Sequence, residues 1–252
     1  MSDSVRVIDR VFDIIEQLAE SSTPLGLTEI AKNTGMSKST VHRLLSTLLS
    51  RRYIEKDSDN TYRIGFKMLE TVSYHINGLE LLTESRAYLG SIHRELNLTS
   101  HLGILEGCEV IYIEKMDTYP NTRLYTQVGY RSPAYCSSIG KCLLSGLSRD
   151  ELDDVLYNCS LKRFTENTIC NKKELHKHLS MIRVQGWAMD NEEYLLGHRC
   201  VGAPIYDYRG DCVAAISVSG STKNLPENQL DSVIQHVKDT AADISKRMGY
   251  LG

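Results

Sequence analysis

The chain has 252 residues, of which 41% are hydrophobic and 24% charged, and its formal net charge is −3 at pH 7. A chain of this size can bury one large core or two smaller ones. It contains no run of about 18 apolar residues, the minimum for a membrane-spanning helix. Residues 1–4, MSDS, lack the basic-then-apolar pattern of a signal peptide. The composition therefore favours a cytoplasmic globular protein without a membrane partner.

The cysteines carry no motif. None of the seven stands in a CxxC pair, and none forms a Cys/His cluster with zinc-site spacing; they are Cys108, Cys136, Cys142, Cys159, Cys170, Cys200 and Cys212. We expect reduced thiols, as is usual in the cytoplasm, and neither a metal site nor a cofactor.

Charge is distributed unevenly along the chain. Residues 32–67 hold eight basic and three acidic side chains, whereas residues 1–31 hold two basic and six acidic ones. A basic segment in an otherwise acidic chain is typical of a surface that binds the phosphates of a nucleic acid.

Three helices are predicted in the first 50 residues. Apolar residues at helical spacing predict the first one, namely Val5, Ile8, Val11, Ile15 and Leu18. Thr28 is expected to cap a short second helix that stops near Gly35, and Ser37 to cap a third helix. The tight turn at Gly35 and Met36 is typical of a helix-turn-helix.

Two short strands are predicted after the third helix, at residues 53–55 and 61–64, joined by the turn-forming run DSDN at residues 57–60. Three helices followed by a hairpin predict a winged helix. The outward face of its third helix carries hydroxyl and basic side chains and no carboxylate, namely Ser39, His42, Arg43, Ser46 and Ser50.

This face is suited to DNA. Its first turn has free N–H groups that favour phosphate, and Arg43 can reach a guanine edge or a phosphate. We therefore predict a DNA-binding set that comprises Thr28, Ser37, Lys38, Ser39, Thr40, His42, Arg43, Ser46 and Arg63. The alternatives are a solvated helix face and a winged helix that binds protein.

The remainder of the chain predicts an α+β domain. Helices are expected at residues 66–77 and 79–96, and a last helix at 226–248. Two hairpins are expected, one at residues 99–115 and one at 201–219. Hairpin strands flanked by helices favour an antiparallel sheet. The predicted domains are therefore a winged helix at 1–66, a linker helix at 67–78 and a third segment at 79–252.

Several stretches resemble the IclR family of bacterial transcription regulators. LTEIA at residues 27–31 and SKSTVHRLL at 37–45 are similar to its DNA-binding domain. GWAMDNEEY at 186–194 and CVGAPIYD at 200–207 are similar to its effector-domain signature, and so are GYRSP at 129–133 and GKCLL at 140–144. The resemblance covers nearly the whole chain.

This resemblance implies a GAF-like effector domain and a homodimer or tetramer on a double-stranded operator. It also implies a regulator, more often a repressor, whose small-molecule effector is bound by Leu124, Ser138, Ile139, Asp190, Cys200, Ser217 and Ser219. The residues themselves add that Ser217 and Ser219 share one strand face and that the helix opening after Ser137 can hold a carboxylate. The alternative is a purely structural role, in which Ser217 and Ser219 hydrogen-bond to neighbouring backbone groups and Cys200 is a small core residue.

The effector class follows from the same residues. Three serines and one aspartate, with no certain Arg or Lys, suit a sugar acid or other hydroxy acid whose hydroxyls donate to Asp190. Such an effector would govern a catabolic operon.

An enzyme is the competing class. His198 with Cys200 could act as a base and a thiol nucleophile, and Asp190 with Glu193 as an acid/base pair. Neither pair has the orienting partners that a mechanism needs, so we predict no catalytic residues. A protein-binding adaptor that carries a winged helix is the other alternative.

Overall fold

The computed structural model describes residues 5–76, 80–117 and 127–252, and the side chains of these residues except 72–76. The chain divides into two compact units, Met1–Leu79 and Glu80–Gly252. Each unit has its own core and is described by itself.

The N-terminal unit is a winged helix. Its elements are α1 (Arg6–Glu20), β1 (Leu25–Gly26), α2 (Leu27–Thr34), α3 (Lys38–Ser50), β2 (Ile54–Lys56) and β3 (Thr61–Ile64), followed by α4 (Phe66–Ile76). The three strands form an antiparallel sheet in the order β1-β3-β2. One apolar cluster joins α1, α2, α3 and the sheet, with Ile14, Ile30, Val41, Leu45 and Ile54 at its centre.

Of the two predicted helix caps, one differs from the structure and one is confirmed. Thr28 does not cap α2, because Gly26 is the N-cap residue and makes no side-chain cap. The helix starts earlier because Leu25 and Gly26 pair with Tyr62 and Thr61 and so fix where the extended chain ends. At α3 the prediction is confirmed: Ser37 is the N-cap, and its Oγ accepts from the Thr40 N–H at 3.3 Å.

The apolar stripe of α1 is buried over only part of its length. Ile14 and Leu18 are in the core, whereas Val5 and Ile8 are 58% and 49% exposed. The predicted helix is confirmed, and its buried residues lie in its second half because α2 and β3 pack against the helix there.

The C-terminal unit is built on a six-stranded antiparallel sheet in the order β6-β5-β4-β9-β8-β7. The strands are β4 (Thr99–Glu106), β5 (Glu109–Met116), β6 (Arg131–Pro133), β7 (Ala188–Asn191), β8 (His198–Tyr206) and β9 (Cys212–Ser221). The helices are α5 (Glu80–Leu96), α6 (Ser138–Gly146), α7 (Arg149–Tyr157), α8 (Lys172–Gln185) and α9 (Leu230–Arg247). The predicted α+β class, with an antiparallel sheet flanked by helices, is confirmed.

Helices cover both faces of this sheet. Helices α5 and α9 pack on one face, whereas α6 packs on the other, against β4, β8 and β9, with α8 outside it. The face that α6 covers carries small residues, because neighbouring strands place Gly103, Ala215 and Gly202 there. A Cβ on Gly103 would stand 3.0 Å from Ile139, and one on Gly202 would stand 3.2 Å from Ser138. The helix therefore lies against the sheet at a distance that larger residues would prevent.

Two cysteines correct the prediction of reduced thiols. Cys108, in the β4–β5 turn, and Cys159, after α7, form a disulfide with Cα atoms 5.8 Å apart, while the other five cysteines are free thiols. They are 51 positions apart, so the pairing depends on the turn meeting the end of α7 and leaves no motif in the sequence.

Substituting Gly140 tests the close packing of α6. Its Cβ would lie 2.3 Å from the Ala134 backbone, so we expect Gly140→Ala to lower the free energy of unfolding by about 3 kcal/mol. Gly90, in α5, is the control: the nearest atom would be the Arg94 side chain at 3.4 Å, and Gly90→Ala should add up to about 1 kcal/mol. Urea unfolding followed by the fluorescence of Trp187, the one tryptophan of the chain, reports on this unit. Equal stability of the two variants would contradict the packing argument.

Candidate functional site

The outward face of α3 is exposed, as predicted. The buried residues of α3 are Val41, Leu44, Leu45 and Leu48, and its exposed residues are Lys38, Ser39, His42, Arg43, Ser46, Thr47 and Ser50. Within the described residues, neither His42 nor Arg43 makes a side-chain hydrogen bond or an ion pair. Both are therefore available to an external partner.

The hydroxyl groups on α3 bond mainly to one another and to the backbone. Ser37 Oγ lies 3.1 Å from Ser39 Oγ and 2.9 Å from Thr40 Oγ1, so three hydroxyls cluster on the first turn. Ser46 Oγ donates to the His42 carbonyl at 2.8 Å. A serine bonded back to its own helix occupies little space, which lets a helix approach a groove closely.

The two remaining residues of the predicted DNA-binding set lie on other elements. Thr28 is exposed in the first turn of α2. Arg63, in β3, pairs with Glu55 at 3.2 Å and Asp57 at 3.3 Å. Its positive charge is therefore partly offset by the carboxylates of its own wing.

A cavity of about 80 Å³ lies on the α6 side of the large sheet. It brings together five of the seven predicted effector residues, namely Ser138, Asp190, Cys200, Ser217 and Ser219. Ile139 does not line it, because the next position of α6 points into the hydrophobic core. Leu124 lies outside the described residues.

Strand register explains why these five residues meet. Asp190 on β7 is paired with Cys200 on β8, and Cys200 with Ser219 on β9. The adjacent row pairs Ser217 with Gly202 on one side and His101 on the other. Because Gly202 has no side chain, Ser138 at the start of α6 comes close to the sheet in this row and lines the cavity together with Ser217.

The rest of the lining was missed by sequence reasoning; it comprises His101, Tyr112, Tyr130, Ser132, Ser137, Tyr194, Leu195 and His198. His101 and Tyr112 lie on the same face of the sheet as Ser217, and strand alternation predicts this once the pairing of β4 with β5 and β9 is known. Tyr130 and Tyr194 lie on segments 64 positions apart, and their hydroxyls are 2.9 Å apart. Both tyrosines lie outside the strands, so no local sequence pattern predicts that their hydroxyls meet.

The ionisable groups of the cavity are mainly neutral. Burial lowers the pKa of His101 to about 3, with a smaller contribution from Lys115. Burial, and then the nearby Glu193 carboxylate, raise the pKa of Asp190 to about 7. Burial also raises the pKa of Cys200 well above its usual value and lowers that of His198. Cys200 is therefore a protonated thiol rather than a nucleophile, which argues against the thiol-enzyme alternative.

A buried ion pair lies beside the cavity. Lys141, on α6, is fully buried, and its Nζ donates to the Glu193 carboxylate and to the Met189 carbonyl. The Glu193 N–H donates to Asp190 Oδ1 at 2.7 Å, and the Glu193 carbonyl accepts from Thr165 and Thr168. This network fixes residues 190–194, from which Asp190 and Tyr194 project into the cavity.

One polar atom of the cavity lacks a strong partner. Ser219 is 4% exposed, and its Oγ has no hydrogen-bond partner in the described chain apart from the weakly polar Cys200 thiol beside it. A buried hydroxyl without a partner costs free energy, and a bound ligand can supply the missing hydrogen bond.

The described residues contain no group of three or more His, Cys, Asp or Glu side chains that could hold a metal ion. Nor does any described helix combine the length and apolar character needed to cross a membrane.

Both units match models of one protein family. Residues 7–58 match the IclR helix-turn-helix domain, and residues 74–246 match the bacterial transcriptional regulator IclR C-terminal domain. The chain belongs to the IclR family. It is a DNA-binding transcription regulator with a helix-turn-helix domain and an IclR C-terminal domain.

Relatives along the full length agree with this family assignment. The chain is 34% identical over 249 residues to the HTH-type transcriptional regulator KdgR of Escherichia coli strain K12, covering 98% of this chain and 94% of KdgR. It is 30% identical over 245 residues to the HTH-type transcriptional repressor AllR of Salmonella typhimurium, covering 97% and 90%. The crystal structure of Thermotoga maritima IclR superposes with a TM-score of 0.87 at 28% identity, covering 97% and 99%. These relatives are named as regulators, not as enzymes.

Removing the buried lysine tests the network beside the cavity of this IclR-family protein. Lys141→Met should lower the free energy of unfolding of the C-terminal unit by about 3–5 kcal/mol, because Glu193 stays buried without its cation. Lys246→Met is the control, since Lys246 pairs with Asp243 at a 70% exposed position where little change is expected. Trp187 fluorescence in urea measures both variants. The double variant Lys141→Met/Glu193→Gln should recover part of the loss; a loss equal to that of the single variant would contradict the pairing.

Proposed function

We propose that this IclR-family regulator is a repressor of a catabolic operon, and that a small hydroxy acid controls its affinity for the operator. DNA recognition is assigned to α3. The observation that supports this assignment is its exposed, carboxylate-free face, which lies in the one basic segment of an acidic chain. Repression is proposed from the relative AllR, whose name describes a repressor.

His42 and Arg43 are the proposed base-reading residues, because both are exposed and unpaired within the described chain. Thr28, Ser37, Lys38, Ser39, Thr40 and Ser46 are proposed to position the backbone phosphates, with Arg63 on the wing. Arg63 would have to exchange Glu55 and Asp57 for a phosphate, so we expect it to contribute less than Arg43.

A homodimer, or a tetramer built from dimers, is proposed as the active form on chromosomal DNA in the cytoplasm. Two recognition helices on a pseudo-palindromic operator require at least two copies of the chain. Exposed apolar residues at the start of α1 offer a surface for association of the DNA-binding unit; they are the N-cap Val5 and, within the helix, Val7, Ile8 and Phe12, which are 49–58% exposed.

The cavity is the proposed effector site. Its size suits a compact molecule, and its buried hydroxyls suit a ligand with hydroxyl and carboxylate groups. Ser138, Asp190, Cys200, Ser217 and Ser219 are the proposed contacts, together with His101 and the tyrosines that sequence reasoning missed. The effector shifts DNA affinity by its different affinities for the DNA-competent and DNA-released conformations.

Arg43→Ala tests the assignment of DNA recognition. On an operator selected by the wild-type protein from a random-sequence library, we expect binding to weaken by about 1–3 kcal/mol, or about 5- to 150-fold. The slope of log affinity against log salt should fall by about one if Arg43 meets a phosphate, and stay constant with relaxed specificity if it meets a base. Arg149→Ala, at an exposed position of α7, is the control. Unchanged affinity of Arg43→Ala would assign the contact elsewhere.

Ser219→Ala tests the effector site with two opposing readouts. Removing a buried hydroxyl without a strong partner should raise the stability of the free protein, whereas affinity for the effector should fall about tenfold. Calorimetry with glycolate, lactate, D-gluconate and benzoate identifies the ligand class, and Ser180→Ala, an exposed serine on α8, is the control. Binding of benzoate without binding of any hydroxy acid would refute the proposed class.

A further inference from the structure

The cavity holds no side chain that is positively charged at neutral pH, among the residues that line it in the described chain. Its two histidines have lowered pKa values, and the pKa of His101, at about 3, lies far below neutral pH. Lys141 is close, but its Nζ is committed to Glu193 and to the Met189 carbonyl. An acid bound here must therefore be recognised without a direct cation.

The two carboxyl oxygens of Asp190 differ in their hydrogen bonds, and Oδ2 is available to a ligand in the cavity. Oδ1 accepts the N–H groups of Glu193 at 2.7 Å and Tyr194 at 3.4 Å. Oδ2 has no hydrogen-bond partner within the described residues, and the side chain is part of the cavity wall. An ionised Oδ2 would repel a carboxylate, whereas a protonated one would donate to it.

The charges around Asp190 favour its neutral form. Two buried carboxylates, Asp190 and Glu193, share a single buried ammonium, and Glu193 takes the direct contact with Lys141. A second negative charge in this position lacks a compensating cation, and burial together with Glu193 raises the pKa of Asp190 to about 7. The other titratable groups that face Asp190 or share its cavity are Tyr194 on the same segment, Tyr130 before β6, Cys136 before α6, Tyr112 on β5, His101 on β4, and His198 and Cys200 on β8.

We propose that Asp190 recognises the carboxylate of the effector as a neutral acid, with its Oδ2–H as the donor, and that the Lys141–Glu193 pair positions it for this role. The proposal rests on the proposed function, because it assumes an acidic effector in this cavity. Above neutral pH, one proton passes from water or buffer to Asp190 Oδ2 when the ligand binds, so the O–H bond of Asp190 forms as the donor's bond to that proton breaks. A hydrogen bond from a neutral acid to a carboxylate is short and strong in a buried site.

Proton uptake has a measurable consequence for affinity. At a pH below the Asp190 pKa, the donor is already present and affinity is independent of pH. Above it, the ligand must bind the minor protonated form, so affinity falls about tenfold for each further pH unit. Asp190→Asn carries an amide N–H in place of the acid O–H and keeps an acceptor for the Glu193 N–H. This variant should bind at all pH values.

The protonation state of Asp190 can be measured without a ligand. In protein labelled with carboxyl-13C aspartate, the Asp190 resonance is assigned by its absence from Asp190→Asn, and Asp231→Asn assigns an exposed aspartate of α9 as the control. We expect a titration midpoint between pH 6 and 8 for Asp190 and a lower midpoint for the same residue in Glu193→Gln. A midpoint below pH 5 would overturn the inference, whether or not a ligand binds.

Calorimetry with glycolate, lactate and D-gluconate then tests recognition. Titrations at pH 6 and pH 8.5, each in two buffers of different ionisation enthalpy, count the protons taken up per ligand bound. We expect uptake approaching one proton at pH 8.5 for the wild type and none for Asp190→Asn. Binding without proton uptake, and with equal affinity at both pH values, would overturn the inference while leaving the effector site in place. Absence of binding by all three acids at pH 6 would overturn the hydroxy-acid effector, and this inference with it.

Discussion

The close approach of α6 to the large sheet is the constraint on which the C-terminal unit depends. Gly103 and Gly202 remove side chains from the face of the sheet that the helix covers, and Gly140 lets the same helix meet the backbone of Ala134. The first residue of the helix, Ser138, stands against Gly202, and it lines the cavity together with Ser217 of the paired strand. The glycines that bring α6 onto the sheet therefore place the start of this helix at the cavity wall.

Burial of Lys141 follows from this approach. A lysine on the inner side of a helix so near the sheet has no route to solvent, so its charge must be matched inside the protein. Glu193 provides that match, and in doing so it holds the segment that follows β7 against the start of α6. Lys141 thus links the core to the cavity wall, because its partner Glu193 also donates an N–H to Asp190 and raises the pKa of that carboxyl group.

The DNA-binding unit depends on simpler physics. Its core is one apolar cluster, α3 begins at a serine cap, and the outward face of α3 is exposed. Helical periodicity and capping residues are local signals, so the sequence predicts both α3 and the side chains that it exposes. Strand pairing changes only details of this prediction: it sets the start of α2 at Leu27, and it brings Arg63 next to Glu55 on the neighbouring strand.

The sequence by itself determined the fold class, the winged helix with the exposed face of its third helix, and the strand positions that bring Ser217 and Ser219 to one face of the sheet. These features depend on periodicity, turn residues and caps, which operate over a few neighbouring positions. Only the tertiary structure decided that Ile139 belongs to the core, that Cys108 meets Cys159, and that His101, Tyr130 and Tyr194 reach the cavity. Likewise, only burial and the nearby Glu193 carboxylate raise the pKa of Asp190. Each of these outcomes depends on contacts between residues far apart in the chain, and on the loss of solvent that those contacts cause.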